Sequence, residues 1–336
     1  MKIKQYDAIN IMKVICSIFV IGFHCNPFSR ISVRVEFILN NFIFNIAVPF
    51  FFVCSGYFFW EKYKTDKNYI KSYLKRLLKI YLIWSMIYLP WIIFKYCIND
   101  RLLIYDFIIL VRNIVFSGTV YHLWYLVTLI YSIIIIGVVL KKERYLELII
   151  ISIISLVIII LGNTVPNIEE NIIIKIYSNL FGGIKTGILY GMPCVSIGIL
   201  ANKYDVKKYK VIFKFSSLIY LVLLLINIYN NYYNGNIVFI LTLIIVVGLL
   251  RILLSCKYTI KNKRFKYIRE ISLNVYCIHV LILIMISKIE DNMHIQNKYI
   301  NIYNFIMVTI ISFGVSMILI YLKKRFIKSN KILYKV

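Results

Sequence analysis

The sequence is short of acidic residues, with 14 Asp and Glu against 40 Lys and Arg, and it holds only five prolines, seven cysteines and four histidines. Linkers rich in Gly, Ser or Pro, repeats of 20–50 residues and a low-complexity tail are all missing, so neither a solenoid nor a string of tethered modules is expected. The cysteines at 16, 25, 54, 97, 194, 256 and 277 form no CxxC and pair with no histidine. That argues against a disulfide framework and against a metal centre. The first apolar segment has no small-residue cleavage site and runs on through Gly22-Phe23-His24, unlike a secretory signal peptide. What the chain has in excess is apolar side chains: 61% of 336 residues, with a mean hydropathy of +0.81. A soluble domain carries about 45–50%, so this excess has no aqueous surface to explain it, and it excludes disorder. A net charge of +26 in a soluble protein would point to nucleic acid. In a bilayer protein the cations are first sorted by topology.

Apolar runs near 20 residues recur along the whole chain, the length a helix needs to cross about 30 Å of hydrocarbon. They predict an all-α, polytopic transmembrane helix bundle of about ten spans within one domain over 1–336. The spans are roughly 8–27, 39–60, 80–98, 119–140, 145–162, 180–201, 211–229, 236–256, 270–288 and 301–322. Segment 102–116 is amphipathic and suits an interface. The N-terminus and the alternate loops 61–79, 141–144, 202–210, 257–269 and 323–336 hold 28 of the 40 cations, against 8 in the other loops. This bias puts both termini in the cytoplasm. A composition rich in Ile, Lys, Asn and Tyr looks like that of an AT-rich bacterial genome, a hint about source alone; the location expected is a bacterial plasma membrane. Only fourteen residues follow the last span, so chemistry is expected among the helices and their loops.

Ionisable groups inside spans are expensive and usually face a cavity or a partner. Lys13 and His24 are eleven residues apart, so they share one helical face with Ser17 between them, about 16 Å apart along the axis. Two readings stay open: a functional pair, or a snorkelling lysine with a histidine capping the outer helix end near Asn26-Pro27. Tyr121, Tyr125, Thr128 and Ser132 make a polar stripe beside His122; the stripe fits either an interfacial aromatic belt or a site. Ser272, Tyr276 and His279 form a polar face, with His279 near mid-membrane. His294 sits in a polar outer loop and is read as incidental. Gly182-Gly183 and Gly187 read as helix-packing or cavity positions. Loop 61–79, with Arg76 and Lys79, suits topology, an anionic-lipid contact, or an electropositive mouth for a phosphorylated donor.

Taken in order, five of these segments resemble the acyltransferase-3 family of integral membrane acyltransferases, over about residues 6–325. Tyr6-Asp7-Ala8-Ile9-Asn10-Ile11-Met12-Lys13, followed by Val20-Ile21-Gly22-Phe23-His24, resembles the opening helix, where an Arg and a His have ten residues between them. Val48-Pro49-Phe50-Phe51-Phe52-Val53-Cys54-Ser55-Gly56 is similar to the second-helix signature. Arg76-Leu77-Leu78-Lys79 resembles a paired-Arg motif, and His122-Leu123-Trp124-Tyr125-Leu126 and Ile271-Ser272 through His279 resemble later motifs. Lys13, Lys79 and Lys185 stand where the family usually has Arg, which keeps the charge and loses the planar fork. No hydrolase-like domain of the kind some relatives carry is expected.

The resemblance implies transfer of an acyl group, commonly acetyl from acetyl-CoA, to a hydroxyl of a surface carbohydrate. The partners implied are an acyl-CoA donor, a carbohydrate acceptor and membrane lipids, without nucleic acid or metal. His24 is then the base or acyl carrier, and Lys13 helps position the donor or balances charge along the same helix face. Arg76, Lys79 and Lys185 hold the donor, and Ser55, His122, Tyr125, Tyr276 and His279 line the cavity, orient the acceptor or stabilise the oxyanion. The competing class is a transporter, because membrane domains of this family also occur in amino-acid racemase fusions, where they look like serine importers, and in proteins once assigned to polysaccharide export.

Overall fold

The computed structural model describes residues 6–98, 104–141, 144–165, 167–201, 206–256, 267–295 and 297–333. Lys2, Lys4, residues 202–205 of loop 202–210 and residues 257–266 of loop 257–269 lie outside them. Thirteen α-helices make up the described chain, which divides into two compact units: Met1–Val48 with Ile252–Val336, and Pro49–Arg251.

The first unit contains α1 (Asp7–Cys25), α2 (Val33–Ile38), α12 (Ile268–Asn292) and α13 (Ile300–Leu333). A π-helical turn, Leu39–Ile43, and a 3₁₀ turn, Phe44–Ile46, follow α2. Asn301 Nδ2, at the start of α13, donates to the Asn26 carbonyl at 3.2 Å and to Ser29 Oγ at 2.7 Å, just past the end of α1. Near the far end of α13, Lys323 Nζ meets Glu270 Oε2 at 2.8 Å in the first turn of α12. Hence α13 runs antiparallel to both α1 and α12, and α1 runs parallel to α12. The start of α1 and the end of α13 therefore lie at the same end of this unit. Gly22 lets the Phe44 ring lie against α1, since a Cβ there would sit 2.6 Å from Phe44 Cζ.

The second unit runs from α3 (Ala47–Tyr63), which starts at the boundary, to α11 (Gly235–Ser255). Between them come α4 (Tyr69–Ile98), α5 (Ile104–Arg112), α6 (Trp124–Lys141), α7 (Tyr145–Thr164), α8 (Ile172–Phe181), α9 (Gly187–Leu200) and α10 (Val206–Asn230). Small residues set the helix crossings, as membrane packing favours. A Cβ on Gly56 of α3 would overlap the Val195 carbonyl of α9, and one on Gly198 of α9 would overlap the Val53 carbonyl of α3. The α4 and α6 helices are antiparallel: the Tyr88 ring lies against His122 just before α6, while Ile70 lies against Gly137 near its end.

Among the described residues nine helices are long and apolar enough to cross a membrane, so the chain is read as multi-pass. The segment expected at 180–201 instead gives α9, fourteen residues long, which opens on Gly187 with φ 66° and follows a turn in which Gly182 and Gly183 have φ of 82° and 136°. Gly182 and Gly183 serve the positive-φ backbone of that turn, while Gly187 also leaves room for the Phe181 side chain, as a packing position would. Loop 61–79 is likewise shorter than expected. Helix α4 begins at Tyr69, because Ile70, Tyr73 and Leu77 recur at helical spacing and are all buried, while the lysines between them point outward. Of segment 102–116 the described residues, from Ile104 on, form α5, with Ile104, Phe107, Ile108 and Val111 exposed, and enter a π-helical turn over Asn113–Ser117.

Candidate functional site

His24 occupies the last turn of α1, and Asn26 ends that helix in the left-handed conformation, φ 46°. The His24 ring stacks on His279 of α12 with centroids 5.3 Å apart and planes inclined by 29°. Two residues 255 apart in sequence are thus brought face to face within the first unit. His279 is completely buried, His24 is partly accessible, and the Phe23 ring meets His24 edge-on at 5.7 Å. Nδ1 of His279 lies 2.7 Å from the Tyr276 carbonyl and 3.2 Å from that of Val275. Ser272, Tyr276 and His279 are all buried, so the polar face read from their spacing turns inward as one strip. Ser17 is buried on the Lys13–His24 side of α1, but its hydroxyl is turned back to the Val14 carbonyl at 2.7 Å.

The segment just beyond His24 is held by residues that sequence reasoning missed. Phe28 N–H donates to Glu36 Oε2 at 2.6 Å, and Asn40 Nδ2 donates to Asn26 Oδ1 at 2.9 Å. With Asn301 they fix residues 26–29, and so the end of the helix that presents His24. The available signal was one acid, Glu36, beside a long apolar run that itself begins with Asn40 and Asn41. Its burial, at 5% exposure, would be costly without those partners.

In the second unit Ser55 Oγ of α3 and Tyr125 Oη of α6 share a hydrogen bond at 3.1 Å. The Phe52 ring lies 4.4 Å from that of Tyr125, centroid to centroid. His122 lies in a 3₁₀ turn, Tyr121–Leu123, that leads into α6; it is buried with its ring 5.2 Å from Tyr88. Just upstream, Thr119 Oγ1 is bonded to Ser85 Oγ at 2.6 Å and to Tyr81 Oη at 3.0 Å. The expected stripe of Tyr121, Tyr125, Thr128 and Ser132 is divided: Tyr121 is 54% exposed and the other three are buried. The reason is the tighter 3₁₀ turn, which rotates Tyr121 away from the face that α6 continues.

Arg76 and Lys79 are exposed on α4, with the Arg76 guanidinium 5.0 Å from the Tyr73 ring centre. Lys185 lies in the exposed turn before α9, not inside a span. The neighbouring Ile184 meets Gly162 near the end of α7, and Tyr190 meets Trp124 at the start of α6. Arg76 and Lys79 lie in the first third of α4, the part that approaches the other end of α6. Lys185 is separated from them by most of that 18-residue helix, about 27 Å long. Among the described residues no group of three or more His, Cys, Asp or Glu could hold a metal ion.

Residues 6–321 match the acyltransferase-3 family model, described as an acyltransferase domain. An amino-acid racemase of Enterococcus faecalis is 23% identical over 337 residues, which is 95% of this chain and 46% of that protein. A serine/alanine racemase of Enterococcus gallinarum is 28% identical over 223 residues, 62% of this chain and 30% of that protein. The chain spans at most about half the length of the curated relatives it matches. No solved structure matches.

Proposed function

We infer the reaction from family and site together: the chain belongs to the acyltransferase-3 family, and we read it as a multi-pass membrane acyltransferase. The donor in this reading is cytoplasmic acetyl-CoA. The acceptor is a hydroxyl of a cell-surface polysaccharide or its lipid-linked precursor, at a bacterial plasma membrane with both chain termini in the cytoplasm. The observation that carries the reading is the His24–His279 stack, an imidazole pair inside a membrane protein of this family. His24, the accessible member, takes the proton of the acceptor hydroxyl as that oxygen attacks the thioester carbonyl. The C–S bond breaks, and the proton passes from His24 to the departing thiolate. Lys13 balances charge along the same face. Arg76 and Lys79 hold the donor phosphates through charge-assisted hydrogen bonds. Lys185, at the other end of its unit, is left out of that group. Ser55 with Tyr125, His122 and Tyr276 are the candidates for orienting the acceptor.

The test is replacement of His24 by Ala, with membrane levels checked, followed by the O-acetyl content of the surface polysaccharide. Loss of acetyl supports the reading, and unchanged acetylation refutes the role of His24. A second reading, transport of an amino acid such as serine or of a saccharide, is favoured by the matches to proteins named amino-acid and serine/alanine racemases, of which this chain corresponds to less than half. Purified protein in vesicles separates the two. Acetyl-CoA consumed in the presence of acceptor marks the enzyme, whereas solute flux without consumption marks the transporter.

A further inference from the structure

His279 does not act as the donor that an oxyanion would need. Its Nδ1 faces two carbonyl oxygens of its own helix, Tyr276 at 2.7 Å and Val275 at 3.2 Å, and carbonyls only accept. Nδ1 must therefore carry the ring proton, and in the neutral ring that leaves Nε2 a lone pair, an acceptor. Nor does the ring reach substrate, because it is wholly buried, while the His24 ring stacked on it is partly accessible. Whatever His279 does for the reaction passes through His24.

We propose that His279 is a positioning residue for His24: a neutral imidazole locked as its Nδ1–H tautomer, whose face holds the His24 ring in place and supports the positive charge that ring gains during transfer. The inference rests on the acyl-transfer reading. When the acceptor hydroxyl gives its proton to His24, an imidazolium forms 5.3 Å, centroid to centroid, from the His279 ring. A cation over the face of a neutral aromatic ring at such a distance is attracted to it, more strongly where water is excluded. A carrier mechanism places the same demand on the pair as the acyl group is added, when the ring passes through an acylimidazolium before it loses its N–H proton. The stack, at 5.3 Å and a tilt of 29°, limits where the His24 ring can swing. Helix α12 supplies the tautomer from its own backbone, so the lock needs no other side chain.

The proposal is tested on purified full-length protein in nanodiscs, with two variants and one spectrum. His279→Phe keeps an aromatic face and loses both nitrogens, whereas His279→Leu loses the face. Turnover of acetyl-CoA with acceptor should fall by about 3- to 30-fold in kcat for His279→Leu, with KM for acetyl-CoA unchanged. His279→Phe should stay within about threefold of the parent. Nitrogen-15 NMR of imidazole-labelled parent protein, assigned by the signal lost in His279→Phe, should show His279 neutral with its proton on Nδ1. A proton on Nε2, an imidazolium at rest, equal losses in the two variants, or full kcat in His279→Leu would each overturn the assignment. A parent protein that turns over no acetyl-CoA instead overturns the transfer reading, and the spectrum then judges the tautomer lock by itself.

Discussion

Replacing Gly198 by Ala should loosen the second unit in a way that two native cysteines report. A Cβ at Gly198 would overlap the carbonyl of Val53, and the same holds for Gly56 against the carbonyl of Val195, so each helix of the crossing is closed by the other's glycine. Neither obstacle is the flexible end of a side chain. The backbone of α3 or α9 must retreat by about 1 Å to restore an ordinary contact near 3.5 Å. Overpacking against backbone belongs at the upper end of the usual range, about 3 kcal/mol. Alanine returns up to about 1 kcal/mol through its better helix propensity. A net cost of about 2 kcal/mol remains, and at tenfold per 1.4 kcal/mol it raises the open population of the crossing about 30-fold.

Cys54 of α3 and Cys194 of α9 are both fully buried, two residues from Gly56 and about one turn from Gly198 respectively. Maleimide labelling in detergent, read at each cysteine by mass spectrometry, follows that open population when reclosing is fast. Both cysteines should label about 30-fold faster in Gly198→Ala and in Gly56→Ala. The double variant should cost less than the sum, because one separation of the helices relieves both overlaps. Gly314→Ala, where nothing lies within 4 Å of the added carbon, is the control and should leave both rates unchanged. Parent-like labelling of Cys54 and Cys194 in Gly198→Ala would refute the close crossing of α3 and α9.

Tyr125→Phe removes the hydroxyl that Ser55 shares at 3.1 Å and should cost about 1 kcal/mol of thermal stability, measured by unfolding in detergent; no loss would mean the bond contributes nothing. Arg76→Gln should raise KM for acetyl-CoA, with a smaller salt dependence than the parent, and Lys185→Gln should leave both unchanged; equal effects would place the donor elsewhere. Cysteines introduced singly at Lys141 and Lys185, at opposite ends of the second unit, should label from opposite sides of the membrane with an impermeant reagent, and labelling from one side would refute that separation.

Much of the fold was readable because bilayer solvation leaves the backbone few choices. Long apolar runs had to be helices, and nine of them are long enough to span. The misread stretches are those where apolar content and helix length part company. Helix α4 extends eleven residues before the expected span start, through Lys71, Lys75, Arg76 and Lys79, since a cationic stretch with buried residues at every third or fourth position is still a good helix. The site was legible as faces and not as contacts. Spacing put Ser272, Tyr276 and His279 on one side of α12, and Lys13 and His24 on one side of α1. Nothing in local periodicity says which helix meets which across 255 residues, so the imidazole stack appears only once α1 and α12 are packed in parallel. Glu36 and Asn301 escaped for the same reason: each acts on a segment contributed by another part of the chain.

The short helix α9 bears on how the chain threads the membrane. The start of α1 and the end of α13 lie at the same end of the first unit, so a path between them that crosses the bilayer does so an even number of times. Among the described residues nine helices are long and apolar enough to cross, an odd number, which leaves room for one shorter crossing. Helix α9 has the placement for it: it starts where Tyr190 meets Trp124 at the head of α6, and it reaches the level of Val53 and Tyr57 on α3 by Gly198. Fourteen residues give a rise of about 21 Å, well short of the hydrocarbon thickness that an isolated helix must cover. The shortfall is tolerable because most of α9 is buried against protein, from Tyr190 and Met192 through Val195 and Ile199, so little of that helix has to face lipid.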